Sequence, residues 1–249
     1  MTLPRAEAVV CGAGIAGISV VWQLAVRHGM KNVVLVDERP PMTLTSDKRT
    51  EANRNWGPGP DDAMVRLMNR SIDLLEGLAE ASGDRFLMNR RGYLYATADE
   101  GRVEAMRGSA ELAQSYGAGP VRIHDGGTDY RPTPPDGWRD QPDGADLLLD
   151  QDLIRTHFPY LAESTLSVLH ARRCGWFSGQ QLGMLLLEQA RAAGVDVVEG
   201  RVDWVETSGG RVSSVQVSTS AGVIAIDTPR FVNAAGPMLH RVGALMGVE

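Results

Sequence analysis

The feature that most constrains this chain lies near its start. Ala8-Val9-Val10-Cys11 is an apolar run of strand character, Gly12-Ala13-Gly14-Ile15-Ala16-Gly17 follows it directly, and Ile18 to Arg27 has helical character up to His28-Gly29. A second apolar run, Asn32-Val33-Val34-Leu35-Val36, ends at Asp37-Glu38, about twenty residues past the last glycine. A G-x-G-x-x-G on its own says little. Set between two apolar strands, with an acid at this distance, it points to a dinucleotide site. The first glycine permits a tight turn, the second lets the backbone approach a pyrophosphate, and the third lets the helix pack on the strand with its N-terminus aimed at the phosphates. Asp37 is placed to accept hydrogen bonds from ribose hydroxyls, and an acid rather than a base there disfavours a 2′-phosphorylated nucleotide. The competing reading, glycines that serve only a strand–helix turn, is the weaker one.

The same stretch raises a second question. From Val9 to Val26 there are about eighteen residues without a charge, the length at which a membrane span or a signal core comes into view. Gly12, Gly14 and Gly17 decide against it, because they fall where a strand hands over to a helix; no integral membrane segment is expected. The 249 residues are 43% hydrophobic and 22% charged, enough apolar content for a full core of one large or two small domains. A formal charge of -6 argues against nucleic acid or an anionic membrane as partner. With only Cys11 and Cys174, reduced thiols and a cytoplasmic address are expected rather than a disulfide framework. Cysteines and histidines are too sparse and scattered for a metal site, and His28, His124, His157, His170 and His240 read as surface or capping residues.

Beyond the second strand the regular βαβ spacing of a nicotinamide-binding domain is not continued. A polar loop, RPPMTLTSDKRTEANRNWGPGP, leads to Asp61-Asp62 as a helix cap and then to AMVRLMNRSIDLLEGLAEAS at helical spacing. Gly92 to Thr97 alternates like a strand, with Tyr93 and Tyr95 on one side as an aromatic wall or as sheet-face packing. Glu100 to Tyr116 is helical, and Ala118 to Gly144, rich in Pro, Gly and Asp, reads as an irregular surface insertion. A short helix in DQDLIRTHFPYL, a strand near Ser167 to Ala171 and a helix from Gly179 to Ala193 follow. The last third is a meander of strands and glycine turns that closes on FVNAAGPMLHRVGALMGVE.

Taken in order, VVCGAGIAGISVVWQLA, VVLVDERP, GYLYATADEGRVEAM and the stretch from GVDVVEG to FVNAAGPM resemble the FAD-dependent oxidoreductases of the D-amino acid oxidase, glycine oxidase, sarcosine oxidase and dimethylglycine dehydrogenase superfamily. The likeness implies an α/β fold: a Rossmann-like FAD-binding domain, built of a βαβ unit plus a β-meander, with part of a second, antiparallel-sheet substrate domain. The FAD-binding domain would comprise 1–85 and 150–249, the latter cut short at its C-terminus, around a partial substrate domain at 86–149 holding a Pro/Gly-rich insertion at 118–146. FAD would meet Gly12, Gly14, Ile15, Ala16 and Gly17 at its pyrophosphate and Asp37 at its adenosine ribose, with Glu38 and Arg39 alongside. The Val202 backbone would meet the adenine, and Ala234, Ala235 and Gly236 would pass close to the adenosine and pyrophosphate. Small residues at a strand end suit such a contact, although NAAG alone would also fit a plain strand–helix turn. Thr45 and Ser46 carry hydroxyls for phosphate or ribityl oxygens, or are ordinary loop residues.

The resemblance further implies oxidation of a C–N bond of an amino acid or N-methylated amine by hydride transfer to the flavin. Lys48, Arg49 and Arg54 lie where sarcosine oxidase-like members carry arginines, and an arginine supplies a bidentate carboxylate grip. Members run well past 249 residues, and their later segments add sheet strands, active-site residues and a last flavin contact. The expected state is therefore an N-terminal portion of such an enzyme. The alternatives are a short relative that borrows surface from a partner chain, or a dinucleotide-binding module without catalysis of its own.

Overall fold

The structure, a computed structural model, describes residues 5–57, 59–126 and 130–248. Its elements begin with β1 (Ala8–Cys11), α1 (Ile15–Trp22), β2 (Val33–Asp37), β3 (Ala52–Arg54), α2 (Ala63–Ser82), β4 (Tyr93–Thr97) and α3 (Glu100–Ser115). There follow β5 (Val121–His124), β6 (Ala145–Leu148), α4 (Gln151–His157), β7 (Ser167–Ala171), β8 (Cys174–Trp176) and α5 (Gly179–Ala192). The chain ends with β9 (Asp196–Glu199), β10 (Arg201–Ser208), β11 (Arg211–Thr219), β12 (Gly222–Asp227), β13 (Phe231–Asn233) and α6 (Leu239–Ala244). Two compact units result: the described residues of Met1–Arg49 with Gly179–Glu249, and Thr50–Ser178.

The first unit is built on a parallel sheet in the order β13-β1-β2-β9, with Val9 beside Phe231 and Val34, and Val36 beside Val198. Every residue of β1 is buried, the near-continuous apolar run demanded of a strand covered on both faces. Val9, Cys11, Val34 and Val36 point to one side, where they share a core with Val202, Val205, Val215, Val217 and Ile226 of the antiparallel meander β10-β11-β12. Their neighbours Val10 and Leu35 point the other way, toward the layer formed by α1 and α5. Those two helices are tied by Trp22 Nε1 donating to Gln189 Oε1 at 2.7 Å. Past Trp22 the helix widens into a π-type turn at Gln23–Arg27 and stops at Gly29, whose φ of +67° takes the left-handed conformation that closes helices.

In the second unit a four-stranded sheet runs β4-β7-β6-β5, antiparallel except for the β5–β6 pair, and β3 pairs with β8 in a separate two-stranded ribbon. One face, with Ala145, Leu147, Leu169 and Ala171, packs on Ala110 and Ala113 of α3 together with Trp56 and Val65. The other, with Leu148 and Val168, packs on Ile154 and Phe158 at α4 and on Tyr130. Val65, Ile72 and Ala79 recur at intervals of seven along α2 and are its buried positions. Asp62 is the N-cap of α2 but makes no side-chain cap bond; the side-chain bond to the first turn comes from its neighbour Asp61, whose Oδ1 accepts from Ala63 N at 3.0 Å.

The sequence-based boundaries at 85/86 and 149/150 differ from this division. The unit break falls at 49/50 and 178/179 because α2 buries Val65 in the α3 core, and β7 pairs with both β4 and β6. The stretch read as an irregular surface insertion contains β5 and the buried Tyr130 and Trp138, and runs directly into β6; Gly127, Thr128 and Asp129 lie outside the described residues. His124 and His170 are buried rather than surface or capping residues, being 5% and 2% exposed. His124 Nε2 donates to Asp146 Oδ1 at 2.8 Å, and Arg122 reaches the same carboxylate at 2.6 and 3.0 Å, with Arg172 pairing to it as well. His170 Nε2 donates to the Arg91 carbonyl at 3.0 Å, which leaves Nδ1 to accept from the Tyr130 hydroxyl at 2.9 Å.

Candidate functional site

The cleft forms in the first unit at the C-terminal ends of β1, β2 and β13. Gly12 N donates to the Val36 carbonyl at 2.8 Å and Ala234 N to the Cys11 carbonyl at 2.8 Å, so the first turn and the segment after β13 lie against each other. Gly12 has φ +109°, and a Cβ there would stand 2.3 Å from the Ala234 oxygen; no other residue fits. A Cβ on Gly17 would stand 1.8 Å from the Gly12 oxygen, which is why α1 can lie so close to its strand. At Gly14 the obstacle would be the Ser46 hydroxyl, 2.9 Å away. The three glycines thus have three separate steric reasons.

Asp37, at the tip of β2, holds the turn from the other side. Its Oδ2 accepts from Ala13 N at 2.6 Å and its Oδ1 from Arg39 N at 2.9 Å. Ser46 Oγ accepts from Ile15 N at 3.0 Å, one of the N–H groups at the start of α1 that have no partner within the helix. The segment carrying Ser46 is pinned by Gln180 Nε2 of α5, which donates to the Met42 carbonyl at 2.9 Å and to Asp47 Oδ1 at 2.7 Å. Hydrogen bonds from Lys48 and Gln180 hold the Asp47 carboxyl below its ordinary value. Burial, reinforced by the charges of Asp37 and Glu38, pushes the Cys11 thiol up to about 12.

A cavity of about 410 Å³ opens here, and every expected cofactor position except Gly17 lines it. Gly12, Gly14, Ile15 and Ala16 form one wall, Asp37, Glu38 and Arg39 the next, Thr45 and Ser46 a third, and Val202 with Ala234, Ala235 and Gly236 part of a fourth. Gly17 lies beneath, packed on Gly12. Of the three candidate catalytic cations only Arg49 reaches the cleft. Lys48 is exposed and paired with Asp47. Arg54 belongs to β3 of the second unit, its guanidinium 5.6 Å from the Tyr93 ring centroid. Arg201, Asp203, Arg241 and Leu245 also line the cavity and were not anticipated. The signal for the first pair was their nearness to Val202; for the second it was the amphipathic character of the closing helix.

The residues present suit a dinucleotide: N–H donors at a helix start, backbone walls without side chains, and a carboxylate at the strand tip. A parallel sheet whose first strand delivers that turn, opposite an acid on the second, defines a Rossmann-like dinucleotide-binding α/β protein. The profile of the FAD dependent oxidoreductase family matches residues 7–249, and the chain belongs to that family, with FAD as the cofactor. No curated protein sequence matches the chain. Among solved structures it is similar to L-proline dehydrogenase from P. horikoshii, at 20% identity and a TM-score of 0.76 over 99% of this chain and 57% of that one. Glycine oxidase from Geobacillus kaustophilus aligns at 18% identity and a TM-score of 0.75, covering 99% and 59%. L-amino acid deaminase from Proteus vulgaris aligns at 20% and 0.76, covering 100% and 52%. The chain therefore spans between half and three-fifths of these relatives. Among the described residues no helix is long and apolar enough to cross a membrane.

Proposed function

We propose that this protein takes part in the FAD-dependent oxidation of a C–N bond in an amino acid or N-methylated amine. The observation that carries the reading is the cleft itself, where Gly12 and Gly17 admit backbone at distances that any side chain would block and Asp37 faces the same space. The names of the three solved relatives each place an amino acid at the reaction, which favours the same substrate class here. Bound at this cleft, FAD would supply the hydride acceptor that oxidation of a C–N bond needs.

The chain's own residues then have distinct tasks. The start of α1 and the hydroxyls of Thr45 and Ser46 hold phosphate oxygens, and Asp37 takes the ribose hydroxyls, with Glu38 and Arg39 beside it. Val202 and Ala234 to Gly236 supply backbone walls for the adenosine and pyrophosphate. Arg49 lines the cleft and brings a permanent positive charge to it, whereas Arg54, on β3, is the candidate grip for a substrate carboxylate.

The test is spectroscopic. The purified protein, mixed with FAD and desalted, should retain flavin absorbance, and anaerobic addition of its amine should bleach the band near 450 nm, roughly where oxidised flavins absorb. Retained flavin that no amino acid or amine bleaches would favour a binding module that needs a partner for catalysis. No retained flavin would remove the reading.

A further inference from the structure

We infer that the substrate of this protein carries a bulky apolar side chain, held in a cavity between α3 and β4 while its carboxylate meets Arg54. The inference rests on the proposed reading of Arg54 as the carboxylate grip and adds what the rest of the substrate must look like. The second unit contains a cavity of about 610 Å³, inside the range that holds small organic ligands. Its walls are apolar for the most part: Trp56 and Tyr95 on one side, Met106 and Leu112 of α3 on the other, and Leu169 of β7. A ligand no larger than glycine would leave most of this surface uncovered.

Arg54 stands beside that cavity. It precedes Trp56 by two residues, and its guanidinium sits over Tyr93, which is on the same face of β4 as Tyr95. Burial raises the Tyr95 phenol above its ordinary value, and the nearby Arg54 charge opposes that rise, so cation and cavity wall share one electrostatic environment. Among the described residues no carboxylate pairs with Arg54. A stacked guanidinium without an acidic partner, next to an apolar pocket with aromatic walls, is complementary to an amphipathic carboxylate: charge at one end, an aryl or branched alkyl group at the other.

Two acids without an amine separate the parts of this assignment, since they bind without turning over. In calorimetric titrations of the FAD-loaded protein, 3-phenylpropanoate should bind at least about tenfold more tightly than acetate. Ser109→Phe fills the cavity from an exposed helix position and should abolish that preference without changing the affinity for acetate or FAD. Ala105→Phe, one turn earlier on the same wall, repeats the block should Ser109→Phe fold poorly. Arg54→Gln should weaken both acids. Equal affinity for the two acids, or a preference that survives both cavity-filling variants, overturns the cavity assignment. Silence of Arg54→Gln, with the cavity variants still effective, overturns the carboxylate grip, and with it the assignment built on that grip.

Discussion

Asp37 and Ala13 are joined by a hydrogen bond of 2.6 Å from the Ala13 N–H to Asp37 Oδ2, so the carboxylate at the tip of β2 fixes the turn that leaves β1. The second carboxylate oxygen fixes Arg39 N at 2.9 Å. One side chain thus holds both the floor and the rim of the cleft. Asp37→Ala removes both bonds and the charge. Charge-assisted hydrogen bonds of this kind contribute roughly 1.5–3 kcal/mol each, and the FAD dissociation constant should rise on the order of ten- to a hundredfold. Quenching of flavin fluorescence during a protein titration measures it; an unchanged constant would take Asp37 out of the site.

Gly17 tests the packing beneath the cleft. An alanine methyl there would fall 1.8 Å from the Gly12 oxygen, and backbone cannot yield as a flexible side chain would. Gly17→Ala should therefore cost about 2–3 kcal/mol or more, as α1 lifts off its strand. Gly77, on the exposed face of α2, is the control, because nothing lies within 4 Å of its built Cβ. Gly77→Ala should stabilise by about 0.5–1 kcal/mol through helix propensity alone. Urea denaturation followed by circular dichroism should move in opposite directions for the two variants.

How much of this was legible in the sequence depended on how local the determining interactions are. The β1–turn–α1–β2 start was readable because strand, glycines, helix and acid follow one another without interruption. Helix α2 was readable because its apolar positions recur over 20 residues, from Ala63 to Ser82. By contrast, β3 and β8 are three residues each; β3 carries an exposed, half-buried, exposed pattern, and neither is long enough to show a period. The burial of His170 depends on Tyr130, 40 positions away, brought there by sheet register and a loop that composition marks as surface. Arg54 is distinguished by its place over Tyr93, a cross-element relation to which loop composition is blind.

His170 should make the second unit acid-sensitive from about pH 6.5 downward, before ordinary carboxylates begin to titrate. Burial first, then the charge of Arg172, lowers its pKa from 6.5 to about 4, against the Arg91 carbonyl and Asp146, which favour the charged form. Its neutral form accepts the Tyr130 hydroxyl at Nδ1, a bond that protonation removes. Between pH 6.5 and 4 the unfolded chain binds a proton that the folded chain refuses, so stability rises with pH across that window. It is complete above the upper value and erodes on acidification, by up to roughly 3 kcal/mol. Asp146 adds to the loss at still lower pH. Burial acts to raise its carboxyl, but hydrogen bonds from Arg122 and His124 and the Arg172 charge hold it well below the ordinary range. Denaturation midpoints measured from pH 7.5 to 4.5 should fall for the wild type, and His170→Gln should flatten that slope. Parallel slopes would assign the sensitivity elsewhere.

The two thiols give a last, independent check on the packing of both units. Cys11 is buried on β1 with its thiol pushed up to about 12 by burial and by Asp37 and Glu38; Cys174 is buried on β8, and burial raises it to about 12 despite backbone hydrogen bonds at Trp56 and Asn55. Thiolate is the reactive species, and a pKa near 12 leaves about one part in ten thousand ionised at pH 8. Neither cysteine should react with a disulfide reagent such as 5,5′-dithiobis(2-nitrobenzoate) in the native protein within minutes, and both should titrate at once in guanidinium chloride. Substituting Asp37 opens the turn next to Cys11 and removes one of the charges that suppress its thiolate. In Asp37→Ala, Cys11 should therefore label faster than in the wild type while Cys174 stays protected. Peptide mapping after a short exposure to iodoacetamide tells the two apart, and equal labelling of both would mean that the variant had opened globally rather than at the cleft.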